Sequence, residues 1–439
     1  MEMKNISNQK ENEGNEYTKI QFIGLCLSTT PGNLKSIEGM SDDGNYLGVP
    51  YIKNDIAGRI EIVTKLLDYA CKEINKQDNT LYVFVLPEFF FRGSTGAYQR
   101  ASTQTPYEFF VNKFASLITF LKDYQDCILV AGSVLSSTIA YNANENTEPG
   151  KSLCMTGDSL LNVYYRLHST QKDGAESRHH PSMHELLKMI DESTSEELDK
   201  LSTEDTAFVD VLRRTLDKCD ETTNIVVDNS AYVIFGGKNA PAPMRIPKMY
   251  KSKEDFVLNR YFPANSSNRT GYLQSNTKYA PITHESEIKN NDFDTGAIFD
   301  YKGIWFGIDI CLDHSRQRLV NQLRKYPDNF VDVQIITSCG MEIRENAVTA
   351  KHGKWVFNCD GEYMLNNQNL GVDGENCHTS LRKVTGQLTF DVNGEVSPAE
   401  LSFAEKTLSE KDITYEITEG FYPETKCHVH IYAPYPIHG

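Results

Sequence analysis

Gly303-Ile304-Trp305-Phe306-Gly307-Ile308-Asp309-Ile310-Cys311-Leu312-Asp313-His314 is an apolar run that stops at a thiol. From Ile304 to Ile310 one glycine and one aspartate interrupt an otherwise apolar series, the composition of an interior strand. A polar, charged turn follows, Asp313-His314-Ser315-Arg316-Gln317-Arg318. A cysteine between a strand and a helix start can have its pKa lowered by the helix N-terminus and be presented to a substrate. Free cysteine is also among the most buried residue types. The segment alone leaves nucleophile and core residue both open.

A second strand end bears on that choice. Leu81-Tyr82-Val83-Phe84-Val85-Leu86 is a covered-strand sequence, and it runs into Pro87-Glu88-Phe89-Phe90-Phe91-Arg92. A carboxylate walled by a proline and three aromatics is desolvated, which lifts its pKa toward neutrality and suits proton transfer. The bland alternative is a buried glutamate that only pairs with a cation. A third strand, within residues 222–237, leads to Ile246-Pro247-Lys248-Met249-Tyr250-Lys251-Ser252-Lys253. A lysine beside a thiol would stabilise a thiolate or an oxyanion. Viewed singly, each of these three lysines reads as a solvated side chain.

Taken in order, Glu88, a lysine and Cys311 at successive strand ends resemble the nitrilase superfamily, the carbon–nitrogen hydrolases. Pro87-Glu88 resembles its glutamate motif, and Asn229-Ser230-Ala231-Tyr232-Val233 the strand before its lysine. Met249-Tyr250-Lys251 looks like the lysine segment, with Lys248 an alternative register. Gly307-Ile308-Asp309-Ile310-Cys311-Leu312-Asp313 nearly reproduces the cysteine motif. Leu312 stands where the family usually has an aromatic, and Ser315-Arg316 replaces the customary Phe-Pro. The likeness extends over roughly residues 18–395: an opening strand at 20–27, a third at 127–133, another at 331–338, a helix and returning strand within 345–361, and a hairpin at 380–395.

The resemblance implies an α/β fold, a four-layer α-β-β-α sandwich, and hydrolysis of an amide, carbamoyl group or nitrile through a cysteine thioester. It implies Cys311 as nucleophile, Glu88 as general base and acid, and Lys251 as the cation. The oxyanion would also meet the backbone N–H of Leu312. Glu285 or Glu287 would be a second glutamate, with Asp313 and His314 in support. No cofactor and no metal is implied. Acyl transfer to an amine, giving an amidotransferase or N-acyltransferase, is an alternative on the same scaffold, as is a non-catalytic binding or effector module.

Composition bounds the rest. The 439 residues carry 44 Lys plus Arg against 60 Asp plus Glu, a net charge of −16. That acidity argues against affinity for nucleic acid or anionic membranes. No apolar run is long enough to span a bilayer. Residues 1–17 are rich in Asn, Glu and Lys, lack a secretory apolar region and read as a disordered lead. Ten scattered cysteines suit a reducing, cytoplasmic compartment. Helical spacing occurs within 61–74 and 109–121. The pattern changes at 140–221, which reads as a helical subdomain inserted in the 18–395 domain. The irregular stretch 259–294 reads as a loop. The C-terminal extension, 396–439, contains two strand-like pieces and could serve a homodimer or higher homo-oligomer.

Two histidine groupings are weak metal candidates. His180 and His184 are spaced i, i+4 beside His179, but without a His-Glu-x-x-His motif; His428 and His430 would share one strand face. His314, three residues after Cys311, raises a cysteine–histidine pair, which adjacency on one turn disfavours. Pairing of His314 with Asp313 is the milder expectation.

Overall fold

The computed structural model describes residues 17–27, 29, 52–93, 97–99, 106–140, 224–250, 255, 297–325, 330–361, 378–386, 388–390, 396–397, 411–416 and 426–437. Lys251, Glu285, Glu287, the three histidines at 179–184, the loop at 259–294 and nearly all of the 140–221 segment lie outside these residues.

The elements are β1 (Lys19–Cys26), α1 (Ile52–Glu73), β2 (Thr80–Val85), β3 (Tyr98–Gln99), α2 (Pro106–Leu121), β4 (Cys127–Ala140), β5 (Asn224–Phe235) and β6 (Met244–Pro247). Then come β7 (Ile298–Tyr301), β8 (Ile304–Ile310), α3 (Leu312–Ser315), α4 (Arg318–Lys325), β9 (Val331–Ser338) and β10 (Ala350–Asp360). The chain closes with β11 (Ser380–Lys383), β12 (Thr389–Phe390), β13 (Val396–Ser397), β14 (Lys411–Glu416) and β15 (Lys426–Pro436).

They form a mixed α/β fold with two main sheets. The larger runs β14-β15-β1-β2-β4-β5-β6, with β3 attached to β4; the smaller runs β11-β10-β9-β8-β7. At the centre of each, consecutive strands are parallel: β1, β2 and β4 in one, β8, β9 and β10 in the other. Their near-continuous apolar sequences are those of strands covered on both faces. The segment after residue 396, read from sequence as an extension, supplies β14 and β15 to the large sheet; β15 pairs antiparallel with β1 from Lys19↔Pro436 to Cys26↔His428. Where a helix was expected in 345–361, the chain makes only a three-residue 3-10 turn, Glu345–Ala347, before β10. Backbone groups there are tied instead to Gln334, whose Oε1 accepts from Thr349 N at 2.7 Å and whose Nε2 donates to Ala347 O at 3.1 Å.

One apolar core lies between the sheets, where Phe22 of β1 meets Phe357 of β10 at 5.3 Å between ring centroids. A second lies between the large sheet and its helices. The α1 stripe Ile52, Ile56, Ile60, Val63, Leu67 and Ala70 is buried there with Phe110, Phe114 and Leu117 of α2. Each such side chain contributes about 1.5–3 kcal/mol when fully buried. On the small sheet, Leu319 of α4 packs against Gly307, where a side chain would crowd it.

Polar contacts fix the carboxyl ends of the central strands to each other across the sheets. Thr337 Oγ1 donates to Leu86 O at 2.8 Å, Glu88 N to Ser338 O at 3.1 Å, and Cys359 Sγ lies 3.2 Å from Leu25 O and 3.3 Å from Val85 O. Ligand sites of parallel sheets form at such strand ends.

Gly132, in β4, has φ +57, and a Cβ there would overlap the Pro87 carbonyl oxygen. Gly132→Ala therefore combines a left-handed backbone with a backbone clash beside Glu88. It should cost at least about 2 kcal/mol, measured as a fall in the urea midpoint at unchanged slope. A loss below about 0.5 kcal/mol, the scale of an ordinary surface change, would contradict this packing.

Candidate active site

Three side chains singled out in the sequence region come together at these strand ends: Glu88 after β2, Lys248 after β6, and Cys311 after β8. Lys248 is the alternative register; Lys251 is outside the described residues. Glu88 and Lys248 are fully buried, and Cys311 is 9% exposed.

Lys248 is placed by β-pairing. β6 runs antiparallel to β5 with Ser230 opposite Pro247, and the next amide, Lys248 N, donates to Asn229 O at 2.7 Å. Its ammonium then reaches inward and donates to Glu88 Oε1 and Asp255 Oδ2, each at 2.8 Å. The Phe89 ring centroid is 5.6 Å from Nζ. Asn229 completes the cradle, its Nδ2 donating to Glu88 Oε1 at 2.9 Å and Asp255 Oδ1 at 2.6 Å. Asp255 and Asn229 as site residues were missed by sequence reasoning. Asp255 sits in the charged run Lys251-Ser252-Lys253-Glu254-Asp255, which reads as solvated surface; the signal available was Asn229, a polar amide inside a strand.

The charges explain the titration. Burial alone would pull the Lys248 ammonium down, but Asp255 and Glu88 outweigh it and hold its pKa well above the usual lysine range. Burial pushes the Glu88 carboxyl up to about 7; Lys248 pulls it down, Asp255 pushes it up, and the Cys311 thiol is close enough to pull it down slightly. Among these three buried groups, one ammonium faces two carboxylates, so protonating Glu88 leaves a neutral set. Glu88 Oε2 is buried and makes no conventional hydrogen bond among the described residues.

Cys311 occupies a sharp strand-to-turn corner, φ 45 and ψ −103, held by its own N–H donating to Thr337 O at 2.9 Å. The expectation that a helix N-terminus lowers its pKa is overturned. α3 is a single turn, and burial raises the thiol well above its ordinary value, with Glu88 adding to the rise and Lys248 opposing it. The resting sulfur is a thiol and needs a base to become a nucleophile. Leu312 starts the turn, where an N–H has no acceptor within the helix.

Asp313 and His314 have separate tasks, and they do not pair with each other. Asp313 accepts from Met249 N and Tyr250 N, at 2.9 and 2.8 Å, and from Arg318 Nη1 at 2.9 Å. Arg318 Nη1 also donates to Pro247 O at 2.8 Å. Together they staple the Lys248 segment to the cysteine turn. His314 Nε2 accepts from Arg344 N at 2.9 Å, so Nδ1 carries the proton and donates to Asp309 Oδ2 at 3.1 Å. Both ring nitrogens are committed away from the thiol, which removes the cysteine–histidine pair. On the other side, Thr29 Oγ1 donates to Glu88 O at 2.5 Å, and Arg59, paired with Asp55 at 2.7 Å, donates to Phe90 O at 2.5 Å. Among the described residues no cluster of three or more His, Cys, Asp or Glu is arranged to hold a metal, and no helix is long and apolar enough to cross a membrane.

The segments that carry Glu88, Lys248 and Cys311 to these strand ends are the ones whose motifs resemble those of the carbon–nitrogen hydrolases. No family profile and no curated protein sequence matches the chain. Solved structures of nitrilase-superfamily proteins match it across most of its length. Nit3 of Saccharomyces cerevisiae, from branch 10 of that superfamily, is 10% identical with a TM-score of 0.34, over 96% of this chain and 92% of its own. An amidase from Nesterenkonia sp. is 8% identical, TM-score 0.30, over 95% and 90%. A mutant of the Nesterenkonia sp. AN1 amidase, carrying the acetamide moiety of fluoroacetamide on its active-site cysteine, is 7% identical, TM-score 0.31, over 98% and 94%. Likenesses this distant transfer no residue roles.

The buried cluster has a signed pH signature. Glu88 has a folded pKa of about 7 against 4.5 unfolded. The folded state therefore binds the extra proton between those values, and stability from this group is present below pH 4.5 and lost as pH rises through 7. Glu88→Gln should accordingly gain stability relative to the native protein from pH 5 to pH 8, by at most about 3 kcal/mol, in chemical denaturation. A difference independent of pH would refute the shift. Lys248→Met, leaving two buried carboxylates without their ammonium, should cost about 3–5 kcal/mol at pH 8. A loss under about 1 kcal/mol, typical of an exposed ion pair, would show that the cluster is open to water.

Proposed function

We propose that the chain is a carbon–nitrogen hydrolase of the nitrilase superfamily, cleaving an amide, carbamoyl group or nitrile through a thioester on Cys311. The observation that carries this reading is the burial of Glu88 and Lys248, 2.8 Å apart, beside the Cys311 thiol, a burial that pushes the carboxyl up to about 7. Under this reading the two sheets and their helices make a four-layer α-β-β-α sandwich, and residues 140–221 form a helical insertion. The acidic composition and scattered cysteines favour a cytoplasmic enzyme, and we extend the proposal to a homodimer or higher homo-oligomer.

For an amide, ionised Glu88 removes the thiol proton as sulfur bonds to the carbonyl carbon. The developing oxyanion meets the Lys248 ammonium and the Leu312 N–H. The tetrahedral intermediate collapses, the carbon–nitrogen bond breaks, and Glu88 returns the proton to the departing amine. Glu88 then deprotonates water, whose oxygen attacks the thioester. Collapse releases the carboxylic acid, and the cysteine sulfur recovers its proton. Asp255 and Asn229 are positioning residues: they hold Lys248 charged and aimed while Glu88 cycles between protonation states. A lysine bound to Glu88 alone would follow its proton; the second carboxylate prevents that.

A small α-haloamide should alkylate Cys311 in preference to the other cysteines, recovered as added mass on the tryptic peptide 303–316. On an amide that the protein turns over, Cys311→Ala should abolish activity with an unchanged circular dichroism spectrum. Glu88→Gln should lower kcat by about 10²–10⁴, and kcat/KM should rise with pH through about 7, the free-enzyme carboxyl value. Retained turnover by Cys311→Ala overturns the nucleophile, and a pH-independent profile from 5 to 9 overturns Glu88 as base.

A further inference from the structure

The Cys311 sulfur has a second cysteine residue for a neighbour. In the parallel pair β8–β9, Ile310 lies opposite Thr337, and β9 ends at Ser338, followed by Cys339-Gly340. Cys339 therefore sits one residue past the position level with Cys311. Cys311 Sγ is 3.8 Å from the Cys339 carbonyl oxygen, and the Cys339 thiol adds to the rise in the Cys311 pKa, which places both sulfurs in one electrostatic field. Both are reduced here; Cys339 is half-buried where Cys311 is almost sealed. With adjacent strands about 4.8 Å apart and a rise of about 3.3 Å per residue, a one-residue offset corresponds to a Cα spacing of roughly 6 Å, inside the 4.4–6.8 Å range of disulfides. Gly340 follows in the left-handed region, φ 88, its N–H donating to Asp360 Oδ1 at 2.6 Å.

The other described thiols are placed differently. Cys359 is buried against Leu25 O and Val85 O between the sheets, and Cys26 and Cys127 are buried in strands. Cys71 is on α1, its thiol pushed up to about 11, first by burial. Cys311, by contrast, lies within hydrogen-bonding reach of the Glu88 carboxyl, which can take its proton.

We propose that hydrogen peroxide converts Cys311 and Cys339 into an intramolecular disulfide that caps the Cys311 sulfur reversibly. Glu88 accepts the Cys311 thiol proton while the sulfur attacks one peroxide oxygen. The O–O bond breaks, and the departing hydroxide leaves as water with a proton returned by Glu88, giving a sulfenic acid on Cys311. The Cys339 sulfur then attacks Cys311 Sγ. The S–O bond breaks, and hydroxide leaves as a second water with the Cys339 proton. One peroxide is reduced to two waters, and two thiols are oxidised to one disulfide. The disulfide diverts Cys311 from the irreversible sulfinic acid, and a thiol reductant restores it. The exchange depends on the placement of the two sulfurs and requires no amide substrate.

The test is mass spectrometry of the full-length protein, exposed to hydrogen peroxide, alkylated and digested with trypsin. Cys311 falls in peptide 303–316 and Cys339 in peptide 326–344, each containing no other cysteine. A cross-linked pair of these peptides, lighter than their sum by two hydrogens and abolished by dithiothreitol, is expected. In Cys339→Ser, Cys311 should instead accumulate as sulfinic acid, and reductant should not recover its thiol. Cys311 found as sulfinic acid in the native protein with Cys339 still alkylated would overturn the proposal, as would Cys311 linked to any other cysteine. The native cross-link decides the matter even if Cys339→Ser fails to fold. Because nothing is hydrolysed, failure here leaves the hydrolase reading standing, and failure of turnover leaves this one standing.

Discussion

One ammonium, fully removed from water, is shared by two carboxylates, and the chemistry of the site follows from that imbalance. Lys248 cannot leave the charged state without stranding Asp255 and Glu88, and both carboxylates cannot be comfortable with one counter-ion. The excess negative charge falls on Glu88, whose carboxyl is lifted to about 7, while Lys248 is held charged. A base near neutrality and a permanent cation are thus two consequences of a single arrangement. The cysteine needs both: burial keeps its sulfur protonated at rest, so its nucleophilicity has to come from the neighbour that takes the proton.

The scaffold keeps this cluster intact because Glu88 and Lys248 are held by backbone as well as by side chain. Glu88 is fixed through its own N–H to Ser338 and through its carbonyl to Thr29. Lys248 is fixed by the strand ladder to Asn229, and its segment by Asp313 and Arg318 to the cysteine turn. Besides the apolar core between them, the two sheets are joined by polar contacts at the ends where these residues lie, so part of the interaction between sheets also sets the geometry of the site. Disturbing Pro87 from below, as a side chain at Gly132 would, is felt directly by the carboxylate.

Much of the frame could be read from residues. The strand ending at Cys311 is an apolar run, broken only by Gly307 and Asp309, with an abrupt polar stop, and Ile304–Ile310 is the strand found. Glu88 was legible because a carboxylate among Pro87, Phe89, Phe90 and Phe91 has no ordinary surface role. The lysine was harder: Lys248, Lys251 and Lys253 are chemically alike in sequence, and it is the register of β6 against β5 that turns Lys248 inward. Asp255 was invisible because its burial depends on Lys248 and Asn229 being turned inward, which the charged run around it does not reveal. Pairing across 400 residues between β15 and β1 likewise leaves no local pattern. The 3-10 turn at Glu345–Ala347 replaces an expected helix because Gln334 captures the backbone groups a helix would have used.

The account rests on Glu88 being a carboxyl that titrates near neutrality inside the protein. Carbon-13 NMR of glutamate side-chain carboxyls, followed from pH 3 to pH 9, observes it without a substrate. One resonance titrating at about 7, and missing from Glu88→Gln, is the predicted result. A spectrum in which every glutamate titrates near the ordinary value of about 4.3 would contradict it.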